Sequence, residues 1–183
     1  MPCRVERAGS RLIMRQRYRL LIVATLVVLV GDQWTKWYID HTMALHQSRT
    51  VIENFFNITY VHNSGAAFGI LAESDLRLPL LSGIALIACG LIGWMFRKLP
   101  PTAVWQRFGL ALVFSGALGN LIDRIRLGVV IDFLDVHWYH HHWPAFNVAD
   151  SAITVGVALL LIDLWLEEKR KRKLPDHDKG EIE

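Results

Sequence analysis

The sequence predicts an all-α membrane protein with four transmembrane helices, plus a small external β-sheet and loop. Of its 183 residues, 52% are hydrophobic and only 20% are charged. The apolar residues gather into four blocks, and a helix needs about 20 mostly apolar residues to cross the hydrocarbon layer. Four crossings leave too little chain for a separate soluble core. The composition therefore excludes a disordered chain and a soluble globular enzyme.

The whole chain, residues 1–183, is predicted to form one polytopic membrane domain. The four expected spans cover about residues 20–38, 78–96, 108–122 and 149–166. Residues 39–77 and 123–148 are then external. A basic N-terminus (1–19) and a basic tail (167–183) lie on the cytoplasmic side.

The positions of the basic residues predict the orientation of these spans. Of the 20 Lys and Arg residues, six precede the first block, three separate the second from the third, and six follow the fourth. Cytoplasmic flanks of membrane helices carry an excess of Lys and Arg, so both termini are expected in the cytoplasm. The same distribution explains the isoelectric point near 9.0 without nucleic acid, because no basic stripe with interleaved aromatics occurs.

The start of the chain has the shape of a secretory signal peptide, with arginines before an apolar run. No small-x-small cleavage site follows that run, which continues into Gly31-Asp32-Gln33-Trp34. We interpret it as an uncleaved first span. Met14 begins a shorter version with the same charge pattern, so residues 1–13 are expected to be either a dispensable extension or one that the natural chain lacks.

Both external segments contain strand-like sequence. Residues 50–62 are rich in β-branched and aromatic side chains and predict one or two strands at the membrane surface. Residues 63–69 are mostly small and allow close backbone approach. Residues 128–136 predict a short strand or an interfacial helix that carries two carboxylates, Asp132 and Asp135.

Ionisable residues inside a span require an explanation, because each costs about 2.5–3.5 kcal/mol on insertion scales. Asp32 and Lys36 are four residues apart on one helix face and are expected to form an ion pair. Asn120, Asp123 and Arg124 lie at the end of the third span. The structural alternative to a functional site is a polar helix cap with a local Asp123–Arg124 ion pair.

Two further carboxylates lie at the same predicted face. Asn147 and Asp150 have the spacing of a capping box at the start of the fourth span. Asp132 has no such structural explanation, because it lies between Ile131 and Phe133 at a membrane surface. Burial among these side chains is expected to raise the pKa of Asp132.

Three consecutive histidines suggest a metal-binding site, but their spacing does not support one. His140, His141 and His142 are consecutive, and no HExxH-type helical spacing occurs. We therefore expect no metal and no cofactor, and a solvated loop held by Trp138 and Trp143. Neither a G-x-S-x-G elbow nor a Cys beside a His is present, so the candidates are carboxylates, amides and one arginine.

These residues form five ordered motifs over about residues 14–166. They are Asp32-Gln-x-Thr-Lys36, Asn63-Ser-Gly-Ala-Ala-Phe68, Gly119-Asn-Leu-Ile-Asp-Arg124, Val130-Ile-Asp-Phe133 and Phe146-Asn-Val-Ala-Asp-Ser151. With four spans, the sequence closely resembles the bacterial lipoprotein signal peptidase (signal peptidase II) family. The resemblance implies an aspartic endopeptidase of the bacterial inner membrane, with its site at the outer (periplasmic) face. Its partners would be membrane lipids and prolipoproteins, cut before a diacylglyceryl-modified cysteine.

The resemblance also implies roles for individual residues. The family's catalytic aspartates fall on Asp132 and Asp150. Its substrate-binding or dyad-supporting residues fall on Asn63, Asn120, Arg124, Asn147, Asp32 and Lys36.

The chemistry of the residues agrees with these roles. Two neighbouring carboxylates would share one proton, so that one activates water and the other donates to the scissile carbonyl. The sequence does not assign acid and base within the pair. The alternative is a component of a proton-coupled transporter, which requires polar groups across the membrane, whereas here they cluster at one face.

Overall fold

The computed structural model describes residues 4–65, 76–100 and 102–173, with side chains from residue 18 to residue 172. Within these residues the chain forms four helices and four strands in the order α1, β1, β2, α2, α3, β3, β4, α4. Residues 66–69 of the predicted small-residue loop and residues 174–183 of the basic tail lie outside the described residues.

The four predicted helices are present, and each is long and apolar enough to cross a membrane. They are α1 (Arg4–Thr42), α2 (Arg77–Lys98), α3 (Val104–Leu127) and α4 (Val148–Lys173). Helix α2 ends at Lys98 because Leu99 precedes Pro100, and a residue before proline favours the extended backbone that Leu99 adopts. Helix α1 begins well before the apolar block, so part of the basic N-terminus continues the first helix.

Helix α3 is the central helix and packs against the other three. Half of the residues in its most apolar 18-residue stretch are buried, compared with 6–17% in the corresponding stretches of the other helices. Glycines allow α3 and α4 to approach closely, since a Cβ atom on Gly109 would lie 2.9 Å from the carbonyl oxygen of Gly156. The outer faces of α1, α2 and α4 expose large apolar side chains, as expected for helices that contact lipid.

The sheet is antiparallel with the order β1-β2-β3-β4. Its strands are β1 (Ser48–Ile52), β2 (Phe56–Asn63), β3 (Val130–Trp138) and β4 (His141–His142). Residues 50–62 therefore contain parts of two strands, as predicted, and residues 130–138 form a strand rather than the alternative of an interfacial helix. Val61 pairs with Asp132, and Asn63 pairs with Val130. This register places Asn63 and Asp132 diagonally across neighbouring strands.

A small hydrophobic core joins the sheet to the C-terminal end of α1. It contains Ile39 and Met43 from α1, Tyr60 from β2, and Ile131 and Phe133 from β3. Because Ile131 and Phe133 point into this core, Asp132 between them faces the opposite side of the strand. The sheet thus holds Asp132 against the ends of the helices that carry the other polar residues.

The predicted support of the histidine loop by tryptophans is wrong. Trp138 and Trp143 are 68% and 69% exposed. Instead, His142 Nδ1 donates to Asp135 Oδ1 over 2.8 Å, and its ring stacks on that of His137. Asp135 is buried and also accepts from Asn57, so the local order comes from a polar pairing that the run of histidines did not indicate.

Candidate active site

A connected cluster of buried polar side chains lies where the C-terminal ends of α1 and α3 meet strands β2 and β3 and the start of α4. Hydrogen bonds join seven of the eight predicted site residues into this cluster. They are Asp32, Lys36, Asn63, Asn120, Asp132, Asn147 and Asp150. Asp132 and Lys36 are each only 2% exposed. Such a concentration of buried polar groups requires complete pairing, which the following contacts provide.

Asp132 is held by two side-chain amides. Asn63 Nδ2 donates to its Oδ2 over 2.8 Å, and Asn147 Nδ2 donates to its Oδ1 over 2.7 Å. Burial has the largest influence on this carboxyl and raises its pKa to about 7; the negative charge of Asp150 acts in the same direction. The donors Asn63 and Asn147, together with the charge of Lys36, oppose this rise. The pKa of Asp132 is therefore raised, as predicted, but by burial against the helix ends rather than by Ile131 and Phe133, which point into the core on the other side of β3.

Asp150 lies in the first turn of α4 within the predicted capping box. Asp150 N donates to Asn147 Oδ1 over 2.9 Å, and Asn147 N donates to Asp150 Oδ2 over 3.2 Å. Its other oxygen accepts from Asn120 Nδ2 over 2.7 Å. The cap thus fixes Asp150 while leaving it partly exposed. The capping role and a role in a site are compatible at this residue.

Lys36 occupies the centre of the cluster behind the two aspartates. Its ammonium lies 2.8 Å from Asp32 Oδ2 and 2.8 Å from Asp123 Oδ2, and it donates to Asn120 Oδ1 over 3.0 Å. The Asp32–Lys36 pair was predicted from its spacing. The local Asp123–Arg124 pair, considered as a structural alternative, is not what Asp123 forms, because Asp123 turns to Lys36 instead. A buried ammonium is a stronger partner than a half-exposed guanidinium beside it.

Glycine 119 explains how the first helix reaches this position. A Cβ atom at residue 119 would lie 2.8 Å from Asp32 Oδ2, closer than real Cβ contacts. A side chain at residue 119 would therefore displace the Asp32 carboxylate from its contacts with Lys36 and Gln33. The glycine of the Gly119-Asn-Leu-Ile-Asp-Arg124 motif thus permits the contact between the two helices.

Arg124 is the eighth predicted site residue, and its hydrogen bonding differs from that of the other seven. Arg124 Nη1 donates to the backbone oxygen of Asn120, one turn earlier, over 3.4 Å, and not to a side chain of the cluster. Its charge nevertheless interacts with Asp150 and Asp132. The guanidinium is half-buried, so it can offer hydrogen bonds to a ligand beside the two carboxylates.

Two residues of the cluster were missed as site residues. Asp123 is 2% exposed and accepts from Lys36, Gln33 and the backbone of Ile131. Gln33 donates to Asp123 Oδ1 over 2.8 Å and also contacts Asp32. A signal was available for Asp123, because it lies three residues after Asn120 and hence on the same face of α3.

Within the part of the chain that the structure describes, no group of three or more His, Cys, Asp or Glu side chains is arranged to hold a metal ion. The cluster can instead do proton chemistry. It presents two interacting carboxylates, one of which titrates near neutral pH, beside amide and guanidinium donors.

Comparison with known proteins identifies the family. The sequence model of signal peptidase II matches residues 24–166. The chain belongs to the signal peptidase II family. The matched region contains every residue of the polar cluster, and the family assignment makes the protein a peptidase and a multi-pass bacterial membrane protein.

Relatives and solved structures agree with this assignment. The lipoprotein signal peptidase of Geobacter sulfurreducens is 56% identical over 158 residues, covering 86% of this chain and 99% of the relative. That of Pseudomonas putida is 42% identical, covering 84% and 90%. A bacterial membrane enzyme solved by the in meso method is 35% identical, with a TM-score of 0.76 over 85% of this chain and 93% of the other. A second one reaches 0.72 at 38% identity, covering 79% and 91%.

Proposed function

We propose that the protein is an aspartic endopeptidase that removes signal peptides from prolipoproteins, cutting before a cysteine that carries a diacylglyceryl group. One observation supports the aspartic mechanism most strongly. Asp132 is almost fully buried, its pKa is raised to about 7, and its neighbour is a second carboxylate, Asp150. A carboxyl group kept partly protonated at neutral pH suits general acid–base catalysis.

In the proposed mechanism Asp132 and Asp150 share one proton. The ionised partner accepts a proton from water as that water attacks the scissile carbonyl carbon, and the protonated partner donates to the carbonyl oxygen. The resulting gem-diol then collapses and its C–N bond breaks. The leaving amine takes the proton of the protonated partner, and one hydroxyl of the intermediate returns its proton to the ionised partner, so the pair again holds one proton. Because either partner can hold the shared proton in this proposal, the mechanism requires no fixed acid and base in the resting enzyme.

The amides and Arg124 would prepare this site for substrate. Asn63 and Asn147 orient Asp132, and Asn120 orients Asp150, through bonds of 2.7–2.8 Å. Arg124 retains donors that can bind the backbone carbonyls of an extended peptide. We propose that the substrate enters sideways from the bilayer, because the apolar outer faces of the helices extend up to the polar cluster.

We also propose that the sheet and the polar cluster face the outer side of the membrane, with both termini in the cytoplasm. The distribution of Lys and Arg supports this orientation. This orientation places five elements at the outer surface: the C-terminal ends of α1 and α3, the start of α4, and strands β2 and β3.

The transporter alternative lacks a polar path. Residues 20–31, 78–96, 108–122 and 151–162 contain no Asp, Glu, Lys, Arg or His. Ser115 and Thr25 form a polar contact below the cluster, but neither titrates near neutral pH. A proton relay across the membrane would need ionisable groups in these segments.

The decisive experiment is cleavage by the purified protein in lipid or detergent. It should shorten a diacylglyceryl-modified prolipoprotein and leave the same precursor without lipid almost uncut. Asp132→Asn is the negative control. Equal cleavage of both precursors would contradict the proposed lipid requirement, and undiminished cleavage by Asp132→Asn would contradict the aspartic mechanism.

A further inference from the structure

Two carboxylates outside the proposed dyad each bind the peptide N–H immediately before one of its aspartates. Asp32 Oδ1 accepts from the backbone N–H of Ala149, the residue before Asp150, over 2.9 Å. Asp123 Oδ2 accepts from the backbone N–H of Ile131, the residue before Asp132, over a longer 3.4 Å. The two contacts are equivalent in sequence position although they involve a helix in one case and a strand in the other.

Lys36 joins these two carboxylates. Its ammonium lies 2.8 Å from Asp32 Oδ2 and 2.8 Å from Asp123 Oδ2. Gln33 bridges the same pair from the other side, donating to Asp123 over 2.8 Å and to Asp32 over 3.2 Å. All three charged groups are at most 2% exposed, so their mutual distances are held without competition from water.

We propose that Asp32 and Asp123, bridged by Lys36, are a matched pair of positioning residues that fix the backbones of Asp150 and Asp132 relative to each other. This inference rests on the proposed function of the dyad. Asp132 is on β3 and Asp150 is on α4, and the chain between them passes through a surface loop and strand β4. Covalent connection alone therefore does not set the separation of the two carboxylates.

The charge cluster of Asp32, Lys36 and Asp123 sets the separation of the two catalytic carboxylates in this proposal. A displacement of β3 relative to α4 must lengthen a bond to Lys36 or break a bond to a backbone amide. In metal sites, loss of the partners behind the ligands typically costs 10–100-fold in activity, and we expect a similar range here because small misplacements of reacting groups are costly. Asp123 is thereby given a role that its helix-end position alone did not suggest.

The test uses carboxylate-to-amide substitutions in the full-length protein. Asp32→Asn and Asp123→Asn leave Lys36 with one carboxylate each, so the buried cluster loses its net negative charge and remains paired. Asp163→Asn is the matched control, because Asp163 also joins two helices, α3 and α4, by accepting from Gln106 over 2.8 Å, but at the other end of the helices. Each variant is measured for kcat, KM and melting temperature, with kcat referred to the folded fraction.

We expect Asp32→Asn and Asp123→Asn each to lower kcat by about 10–100-fold, with KM within roughly two-fold of wild type. Asp163→Asn should keep its kcat. A melting temperature that falls while kcat per folded molecule stays unchanged would overturn the positioning role and leave only a structural one. So would a change confined to KM.

Hydrogen exchange provides a readout that does not depend on turnover. Asp123→Asn should speed exchange at the Ile131 amide and Asp32→Asn at the Ala149 amide, while Asp163→Asn changes neither. Unchanged exchange at both amides would overturn the inference. If an asparagine variant does not fold, serine at the same position gives the same comparison. Absence of cleavage by the wild type would instead refute the proposed function, so the two failures are distinct.

Discussion

Lys36 donates to the side-chain oxygen of Asn120 over 3.0 Å, and this bond determines which end of that amide meets the dyad. An ammonium has only donors, so the oxygen of Asn120 must face it and the NH₂ group must face Asp150. Asn147 Nδ2 also donates to the same oxygen over 3.2 Å and to Asp132 over 2.7 Å. The single charge of Lys36 therefore directs amide donors onto both carboxylates.

Replacing Lys36 should be more damaging than replacing either of its carboxylate partners. Lys36→Met would leave Asp32 and Asp123 buried without a cation, and breaking a buried pair this way costs about 3–5 kcal/mol. We expect a large fall in melting temperature in detergent. The triple variant Lys36→Met, Asp32→Asn, Asp123→Asn removes the uncompensated charge and should recover part of the loss. Equal melting temperatures for wild type and Lys36→Met would contradict this account.

The two proposed catalytic aspartates should behave as one unit. Asp132→Asn, Asp150→Asn and the double variant should fall to about the same residual activity, because neither carboxyl can act without its partner. All three should remain folded, since Asn can still support the start of α4 at residue 150. Cleavage assays and gel filtration measure both properties. Losses that multiply in the double variant would indicate separate roles.

The pH dependence should respond to Asn63. Its donated bond favours the ionised form of Asp132, so Asn63→Ala should raise the pKa of Asp132 further above about 7. In the proposed mechanism activity requires one proton on the pair, so it is lost as pH rises and that proton leaves. The high-pH limb of kcat/KM should therefore move to higher pH, with a lower maximum. Asn57→Ala is the control, because Asn57 on the same strand donates to Asp135 instead. A limb that moves to lower pH would contradict the assignment to Asp132.

The proposed orientation can be tested by labelling single cysteines in a Cys3→Ser, Cys89→Ala background. A membrane-impermeant reagent should label cysteine at His141, which is exposed on β4, from outside intact cells. Cysteine at Lys171, exposed near the end of α4, should react only after permeabilisation. The reverse pattern would invert the orientation, and labelling of both positions from outside would contradict the four-span topology.

The histidine run should be unnecessary for catalysis. His140→Ala combined with His142→Ala removes the bond between His142 and Asp135, so a modest loss of stability is expected with activity retained. EDTA should not inhibit, because the proposed mechanism depends on carboxylates. Inhibition by EDTA that zinc restores would show that a metal takes part.

What the sequence predicted best were features decided by neighbouring residues. The four helices follow from the apolar blocks, the Asp32–Lys36 pair from four-residue spacing, and the Asn147–Asp150 capping box from its own pattern. A raised pKa of Asp132 was expected from the two large apolar residues beside it, and the direction is confirmed although those residues face the other side of β3. Each of these depends on sequence separations of a few residues.

The features that escaped prediction depend on contacts between distant segments. Asp123 meets Lys36 only because α1 and α3 cross at Gly119, and no spacing within α3 shows that crossing. Residues 141–142 contain no strand pattern of their own and become β4 by pairing with β3. His142 finds Asp135 for the same reason, whereas the tryptophans assigned to that loop remain exposed.

The buried carboxyl of Asp132 places stability and activity in opposition at one position. Its pKa is about 7 in the folded protein, compared with an ordinary value of 3.8, so the folded state binds this proton more tightly than the unfolded chain does. That contribution to folding is complete below about pH 4 and is lost as pH rises through about 7. In the neutral range where the pair would work, the fold is already giving up stability to hold Asp132 there. If Asp132 is catalytic as proposed, an uncharged residue at 132 would make a more stable protein and an inactive one.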